Sequence, residues 1–154
     1  MSRIAIVNGI RTPFIKSWTL FSEISAQELG RIAVIELLQI TELDPNLVDE
    51  VIIGSVAGSP EAANIARVIS LYAGIPNTKR AYTVSRNCAS GLEAVTSAAE
   101  KIWAGLDEVV ICGGTESMSN IPLFYNKKAT KIFLQLSRAK SPLEKLILFS
   151  RLKP

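Results

Sequence analysis

Short continuous apolar runs alternate along the chain with longer stretches in which apolar residues recur every three or four positions. The first pattern predicts strands buried on both faces, and the second predicts helices. The predicted strands cover residues 4–10, 51–54, 81–85 and 108–112. The predicted helices between them cover about residues 25–39, 61–73 and 89–104. This alternation predicts an α/β fold with a mostly parallel βαβαβαβ sheet, right-handed crossovers and helices on both faces.

Local signals predict where several of these elements begin and end. Ser25 precedes Glu28 by three residues, which is the spacing of a capping box at a helix N-terminus. Pro13 ends the first predicted strand, since proline cannot donate to a central ladder. Gly105 stops the third predicted helix.

The pattern changes after Pro122, where a basic helical hairpin is predicted. Apolar residues lie on one helical face over residues 128–139, and Ser141 followed by Pro142 predicts the start of a second helix. Residues 127–154 hold eight basic residues and one acidic residue, a net charge of +7, while residues 1–126 carry −4. We therefore expect two domains, residues 1–120 and 121–154.

The basic hairpin has two interpretations that the pattern leaves open. It could lie on an anionic membrane surface, or it could pack on another part of a larger protein or on a partner subunit with its lysines in solvent. Nucleic acid is not an expected partner, because no aromatic interleaving or binding motif accompanies the charge.

The composition limits the expected cellular location of the protein and the catalytic groups it can supply. The chain of 154 residues has two cysteines without metal-ligand spacing, and no stretch approaches the length of a membrane span. Residues 1–3 lead directly into an apolar run without a signal-peptide pattern, so we expect a cytoplasmic protein. There is no histidine, which removes the commonest general base from this chain.

Cys88 is the candidate catalytic residue. It follows the third predicted strand and directly precedes a helix, where unpaired N–H groups and the positive end of the helix dipole favour thiolate over thiol. Ala89, Ser90 and Gly91 are small neighbours that leave room for a substrate. The alternative is that Cys88 is a small buried residue, which is the interpretation we favour for Cys112 within its apolar strand. No phosphate-binding glycine loop is present, and we expect no cofactor and no metal.

Three segments of this sequence resemble the signatures of thiolases. They are residues 85–91 (SRNCASG) around Cys88, residues 11–14 (RTPF) after the first predicted strand, and residues 113–119 (GGTESMS) after the fourth. Residues 127–128, 136–141 and 148–152 are similar to the loop domain of thiolases that form the β-subunit of the fatty-acid β-oxidation trifunctional complex.

The resemblance implies an acyltransferase. Cys88 would form an acyl-enzyme with 3-oxoacyl-CoA or acetyl-CoA in fatty-acid β-oxidation, with coenzyme A thioesters as substrates. It also implies a homodimer that pairs through the predicted strand of residues 81–85. Further candidate partners are the β-oxidation α-subunit and a chain that supplies the C-terminal half.

The family's other catalytic groups have no counterpart here. The resemblance places its histidine, its second catalytic cysteine and its oxyanion-hole segment in the C-terminal half, and it places a further helix and strand of this sheet after the loop domain. We therefore expect the 154-residue chain alone to be inactive. The alternative function is a non-catalytic truncated or assembly module that dimerises, or that contacts a membrane or a partner through its basic hairpin.

Overall fold

The computed structural model describes residues 3–151, apart from the side chain of Glu144. Residues 1–2 and 152–154, which belong to the two predicted domains, lie outside the described residues. The chain divides into two compact units, one extending to Pro122 and the other beginning at Leu123. The elements of the first unit are α1 (Ala26–Thr41), β1 (Glu50–Gly54), α2 (Ile65–Tyr72), β2 (Arg80–Val84), α3 (Ser90–Trp103) and β3 (Val110–Gly114). A short 3-10 turn, Pro45–Leu47, leads into β1.

The three strands form one parallel sheet in the order β2-β1-β3. Val51 in the central strand pairs with Ala81 on one side and with Ile111 on the other. Alternate residues of β1 face opposite sides of the sheet, as the twofold repeat of a strand requires. Val51 and Ile53 pack with residues of α1 and α2, and Ile52 packs with α3. These contacts confirm the predicted α/β class with helices on both faces.

The first predicted strand is wrong. Residues 4–10 form no strand, and the side chains of Ile6 and Val7 are 84% and 88% exposed. A strand is stabilised by the ladder it makes with a neighbour. No other described strand lies beside this apolar run, so its β-propensity alone does not make it a strand. The sheet of the described residues therefore has three strands instead of four.

Local capping sets where the helices of the first unit begin. The Ser25 side chain accepts from Glu28 N, which confirms the predicted start of α1. Helix α2 begins later than predicted, because the Asn64 side chain accepts from Arg67 N and caps the helix there.

The spacing of Leu92, Val95, Ala98, Ala99 and Ile102 predicts one buried face for α3, and the observed buried face agrees with it only in part. Ala94 and Ala98 face the sheet, whereas Leu92 is 67% exposed. Small alanine side chains allow the helix axis to lie close to the strands, so the larger residues point away from the sheet.

The second unit is a helical hairpin, as the sequence predicts. Helix α4 (Lys127–Arg138) begins at Asn126, whose side chain accepts from Ala129 N, and α5 (Pro142–Phe149) follows. Ile132, Ala139 and Leu148 form its small core. The rings of Tyr125 and Phe133 lie 4.8 Å apart. Among the described residues, no helix has the length and apolar character needed to cross a bilayer.

The amino ends of the strands carry a cluster of buried charges. Glu50, which begins β1, forms an ion pair with Lys101, and Asp107 forms one with Arg80. Burial raises the pKa of Asp107; the neighbouring Arg80 guanidinium opposes this shift, and Glu50 adds to it. The first ion pair joins α3 to the start of β1. The second joins the segment that precedes β3 to the start of β2.

The carboxyl ends of the strands meet α3 through glycine. A Cβ built on Gly54 would lie 2.3 Å from both C and O of Ser90, and one on Gly114 would lie 3.1 Å from Gly91 Cα. The first turn of α3 thus rests directly on the backbone of β1 and β3. No side chain larger than hydrogen fits at Gly54 without moving the start of the helix.

We expect Gly54→Ala to lower the free energy of unfolding by about 2–3 kcal/mol, because the new methyl group must displace the backbone of Ser90. Gly113→Ala is the matched control. A Cβ at Gly113 meets nothing within 4 Å, so this change in β3 should cost less than about 1 kcal/mol. Urea denaturation followed by circular dichroism measures both. Equal losses in the two variants would contradict the steric explanation.

Candidate active site

A cavity of about 950 Å³ lies at the carboxyl ends of the strands. Its wall is built from four parts of the first unit that are distant in sequence. They are residues 10–17, 54–56, 87–91 and 114–119, with further contributions from the start of α1. The three segments that carry the sequence resemblance therefore come together around one space. This is the end of a parallel sheet at which α/β proteins commonly hold ligands.

Cys88 lines this cavity and is exposed. It lies in the short loop between β2 and α3, two residues before the helix begins at Ser90. The loop closes tightly because Asn87 adopts a left-handed conformation, with φ of 51°. The structure thus places the predicted nucleophile where the sequence pattern put it, on a sharp strand-to-helix turn.

Ser90 fixes the shape of the cysteine loop. Its Oγ accepts from Arg86 N at 2.7 Å and donates to Asn87 O at 2.7 Å. The side chain of Arg86 forms an ion pair with Glu93 on the first turns of α3. Cys88 is thus spanned by hydrogen bonds that join the residues on either side of it, which limits the positions its sulfur can take.

The segment after β3 is anchored to the first residue of α1 and to the residues just before it. Thr115 Oγ1 donates to Ala26 O at 2.7 Å, and Ser117 Oγ donates to Ile24 O at 2.9 Å. Asn120 Nδ2 donates to the same Ile24 carbonyl at 3.0 Å. These bonds, which span more than 85 residues of sequence, hold one wall of the cavity in place.

Glu116 is a site residue that sequence reasoning missed. Its Oε2 accepts from Val56 N at 2.8 Å and from Ala57 N at 3.2 Å, and Ser55 Oγ approaches Oε1 at 3.5 Å. Its local signals were an acidic residue within a run of small residues after a strand, and its place in the segment at residues 113–119 that carries the sequence resemblance. Its partners lie about 60 positions away, where neither periodicity nor spacing could indicate them.

The segment at residues 11–14 forms a further part of the wall. The Arg11 guanidinium lies 4.4 Å from the centroid of the Phe14 ring. The Phe14 side chain itself is largely exposed. Arg11 and Lys16 give this side of the cavity a positive charge. That charge suits an anionic ligand.

Cys112 lies apart from this cavity. It is half-buried in β3 and packs against the cluster of Ile52, Ala94 and Ala98. Burial raises the pKa of the Cys112 thiol. Both properties agree with the structural interpretation drawn from its apolar strand.

Comparison with known protein families gives one matching model over nearly the whole chain. The model describes the thiolase N-terminal domain and matches residues 4–149. A 3-ketoacyl-CoA thiolase of Serratia proteamaculans is 44% identical over 151 residues, which are 98% of this chain and 35% of the relative. One of Colwellia psychrerythraea is 44% identical over 150 residues, 97% of this chain and 34% of the relative. The chain thus spans about a third of the length of these relatives.

Solved structures give the same relationship. The Acat5 thiolase of Ascaris suum, crystallised in complex with coenzyme A, matches 77% of this chain and 31% of its own, with 30% identity and a TM-score of 0.74. The acetyl-CoA acetyltransferase of Bacillus anthracis matches 69% of this chain and 27% of its own, with 38% identity and a TM-score of 0.66.

We expect iodoacetamide to modify Cys88 at least about tenfold faster than Cys112 near neutral pH, because the first thiol is exposed and the second is half-buried with a raised pKa. Mass spectrometry of digested protein follows both sites in one sample. The variants Cys88→Ser and Cys112→Ser assign each rate. Cys112 should react faster as the pH rises, since deprotonation produces its nucleophilic form. Comparable rates at both sites would contradict the placement of Cys88.

Proposed function

The chain belongs to the thiolase family, and on that premise we propose that it is the cysteine-bearing part of a thiolase-type acyltransferase that acts on 3-oxoacyl-CoA in fatty-acid β-oxidation. One observation carries the proposal. The segments at residues 11–14, 87–91 and 114–119 meet around a single cavity in which Cys88 is exposed. The names of the relatives, 3-ketoacyl-CoA thiolases, support the choice of substrate. The proposed activity needs no resident cofactor or metal.

In the proposed reaction Cys88 acts as a nucleophile. Its thiolate attacks the 3-keto carbon of a 3-oxoacyl-CoA and forms a carbon–sulfur bond. The bond between the 2- and 3-carbons then breaks, and the departing two-carbon fragment takes up a proton and leaves as acetyl-CoA. The shortened acyl chain remains as a thioester on Cys88 until a CoA thiolate displaces it. Small residues at positions 89–91 leave the sulfur accessible from the cavity.

Complete turnover requires groups from outside these 154 residues. With no histidine in the chain, the Cys88 proton would pass to solvent or to another part of the enzyme. Each absent electrostatic group at such a site costs on the order of 10²–10³ in rate. We therefore propose that the chain alone is acylated slowly, and that the remainder of a thiolase supplies the base, the second cysteine and the oxyanion hole.

The alternative proposal is a non-catalytic assembly module. Its support is the hairpin of α4 and α5, whose outer side chains Leu143, Leu146 and Phe149 are exposed. The same hairpin is rich in lysine and arginine. Such a surface could dock on a β-oxidation α-subunit or on anionic lipid. We propose a cytoplasmic location for either function, on the basis of two free cysteines.

We expect incubation with acetoacetyl-CoA to leave one acetyl group on the chain, detected by intact mass spectrometry. The Cys88→Ser variant should carry none, and Cys112→Ser should carry as much as the original. Hydroxylamine should remove the group, because it cleaves thioesters. If a folded chain with both cysteines forms no adduct, the acyltransferase proposal fails for this chain and the assembly alternative is favoured.

We further propose a homodimer that pairs through β2. This strand is at the edge of the sheet, with β1 on its other side. The Arg80 N–H donates to Asp49 O, and Val84 O accepts from Ser55 N. Since alternate residues direct their backbone groups to opposite sides, those of Ala81 and Thr83 face the open edge. The Ala81 carbonyl already accepts from Asn64 Nδ2 at 3.0 Å, so the N–H groups of Ala81 and Thr83 are what this edge offers to a second strand. An edge strand with exposed backbone groups is a template for pairing with another chain.

We expect the original chain to be dimeric at micromolar concentration and Ala81→Pro to be monomeric. Proline removes an N–H group that faces the open edge and leaves the ladder with β1 intact. Ala81→Ser is the matched control, because it keeps the N–H and should remain dimeric. Light scattering coupled to size exclusion measures the mass of each. A monomeric original chain would exclude this mode of pairing.

A further inference from the structure

Glu116 joins two walls of the Cys88 cavity. One wall follows β3 and the other follows β1. Glu116 follows β3, whereas its hydrogen-bond donors, Val56 N and Ala57 N, follow β1. Both Glu116 and Val56 line the cavity together with Cys88. A single carboxylate thereby holds the backbone of one wall against the other.

The hydrogen bonds of Glu116 continue the backbone hydrogen bonds that join the ends of β1, β2 and β3. Thr115 N donates to Gly54 O at 3.0 Å, and Ser55 N donates to Val84 O at 3.1 Å. The chain is therefore tied to its neighbours as far as Ser55 on the β1 side. Beyond Ser55 the sheet ladder ends, and at Val56 and Ala57 it is the Glu116 carboxylate that accepts the two backbone N–H groups.

We propose that Glu116 is a positioning residue, which holds the Ser55–Ala57 turn in the shape that admits a CoA thioester to Cys88. The inference rests on the proposed function, since it concerns the same site. Glu116 is the one carboxylate among the described residues that line the cavity. Its role is to orient the turn, and it takes no proton from the thiol.

The hydrogen bonds distinguish positioning from acid–base work. Two backbone N–H groups point at Oε2, at 2.8 and 3.2 Å, and the Ser55 hydroxyl lies near Oε1. Consecutive N–H groups that converge on one oxygen form a concave anion-binding turn. Hydrogen bonds of backbone donors to a carboxylate are stronger than those between neutral groups. A carboxylate held in this way is a structural acceptor, with its oxygens directed to the turn.

The shape of the Ser55–Ala57 turn should affect how a CoA thioester reaches Cys88 more than it affects the reactivity of the thiol. Cys88 is held by its own loop through Ser90 and Asn87, without any bond to Glu116 among those described. Loss of the Glu116 carboxylate should therefore leave the thiol reactive toward a small reagent. A large substrate that must pass the turn and align its carbonyl is affected, since misplacement by about 1 Å can cost about a hundredfold.

The test compares two reagents on the 154-residue chain. In Glu116→Ala, we expect the acylation of Cys88 by acetoacetyl-CoA to fall by about tenfold to a hundredfold, with a higher half-saturating concentration. Its alkylation by iodoacetamide should change by less than about threefold. Glu116→Gln keeps an oxygen that can accept from both N–H groups and should recover most of the acylation rate. Glu100→Ala, on the exposed side of α3, is the matched control and should behave as the original.

A second measurement does not depend on acylation. Hydrogen exchange of the Val56 and Ala57 amides should be faster in Glu116→Ala than in the original chain, and close to the original in Glu116→Gln. Unchanged exchange in the alanine variant would overturn the inference even if no variant were acylated. If the original chain is not acylated but amide exchange changes as expected, the proposed function is refuted. The role of Glu116 in holding the Ser55–Ala57 turn is then still supported.

Two kinetic outcomes would overturn the inference. One is acylation of Glu116→Ala at the original rate, and the other is an equal fall in acylation and alkylation, which would indicate a general loss of the site. If the alanine variant does not fold, Glu116→Asp takes its place. The shorter side chain keeps the charge but draws the oxygens away from the turn, so the same separation between the two reagents is expected.

Discussion

The contact on which this structure depends is the close approach of backbone at Gly54, Gly91 and Gly114. At these positions two parallel strands end against the first turn of α3 with almost no side-chain volume between them. The distance between helix and sheet is thereby set by backbone atoms, and with it the position of the loop that carries Cys88. A side chain at Gly54 would meet the carbonyl of Ser90, the residue whose hydroxyl shapes that loop. The same glycine contacts therefore determine both the packing of α3 on the sheet and the position of the Cys88 loop.

The two ends of the sheet are built on different principles. At the amino end, Glu50 and Asp107 are buried in ion pairs with Lys101 and Arg80. Such pairs fix the arrangement of α3 and the strands, and removing Lys101 or Arg80 would leave a buried carboxylate without its partner. At the carboxyl end, hydroxyl and amide groups hold the segments together beside two charged contacts, the Glu116 carboxylate and the Arg86–Glu93 ion pair. The cavity that holds Cys88 lies at the carboxyl end, away from these buried carboxylates.

The sequence predicted most reliably what nearby residues decide. The start of α1 follows from Ser25 and Glu28, and the turn that carries Cys88 follows from a strand directly before a helix, so both could be placed from local pattern. The prediction of a strand at residues 4–10 was wrong, because a strand also needs a neighbouring strand and composition does not reveal one. The face predicted for α3 was right at Ala98 and wrong at Leu92 and Val95, because close packing on the sheet favoured the small side chains of Ala94 and Ala98. Glu116 was missed because its bonds join residues 59 and 60 positions apart.

In the proposed function, the position and the activation of the nucleophile are separable, and these 154 residues account chiefly for its position. The cysteine loop, its hydrogen bonds through Ser90, and the walls joined by Glu116 all arise within residues 10–119. Activation requires a group that accepts the thiol proton and donors that meet the oxyanion. In the proposed function, the remainder of a thiolase supplies these groups to a chain that has no histidine. A preformed cavity around Cys88 would let the remaining groups of a thiolase act on a sulfur that is already in place, so that their arrival adds rate without having to build the site.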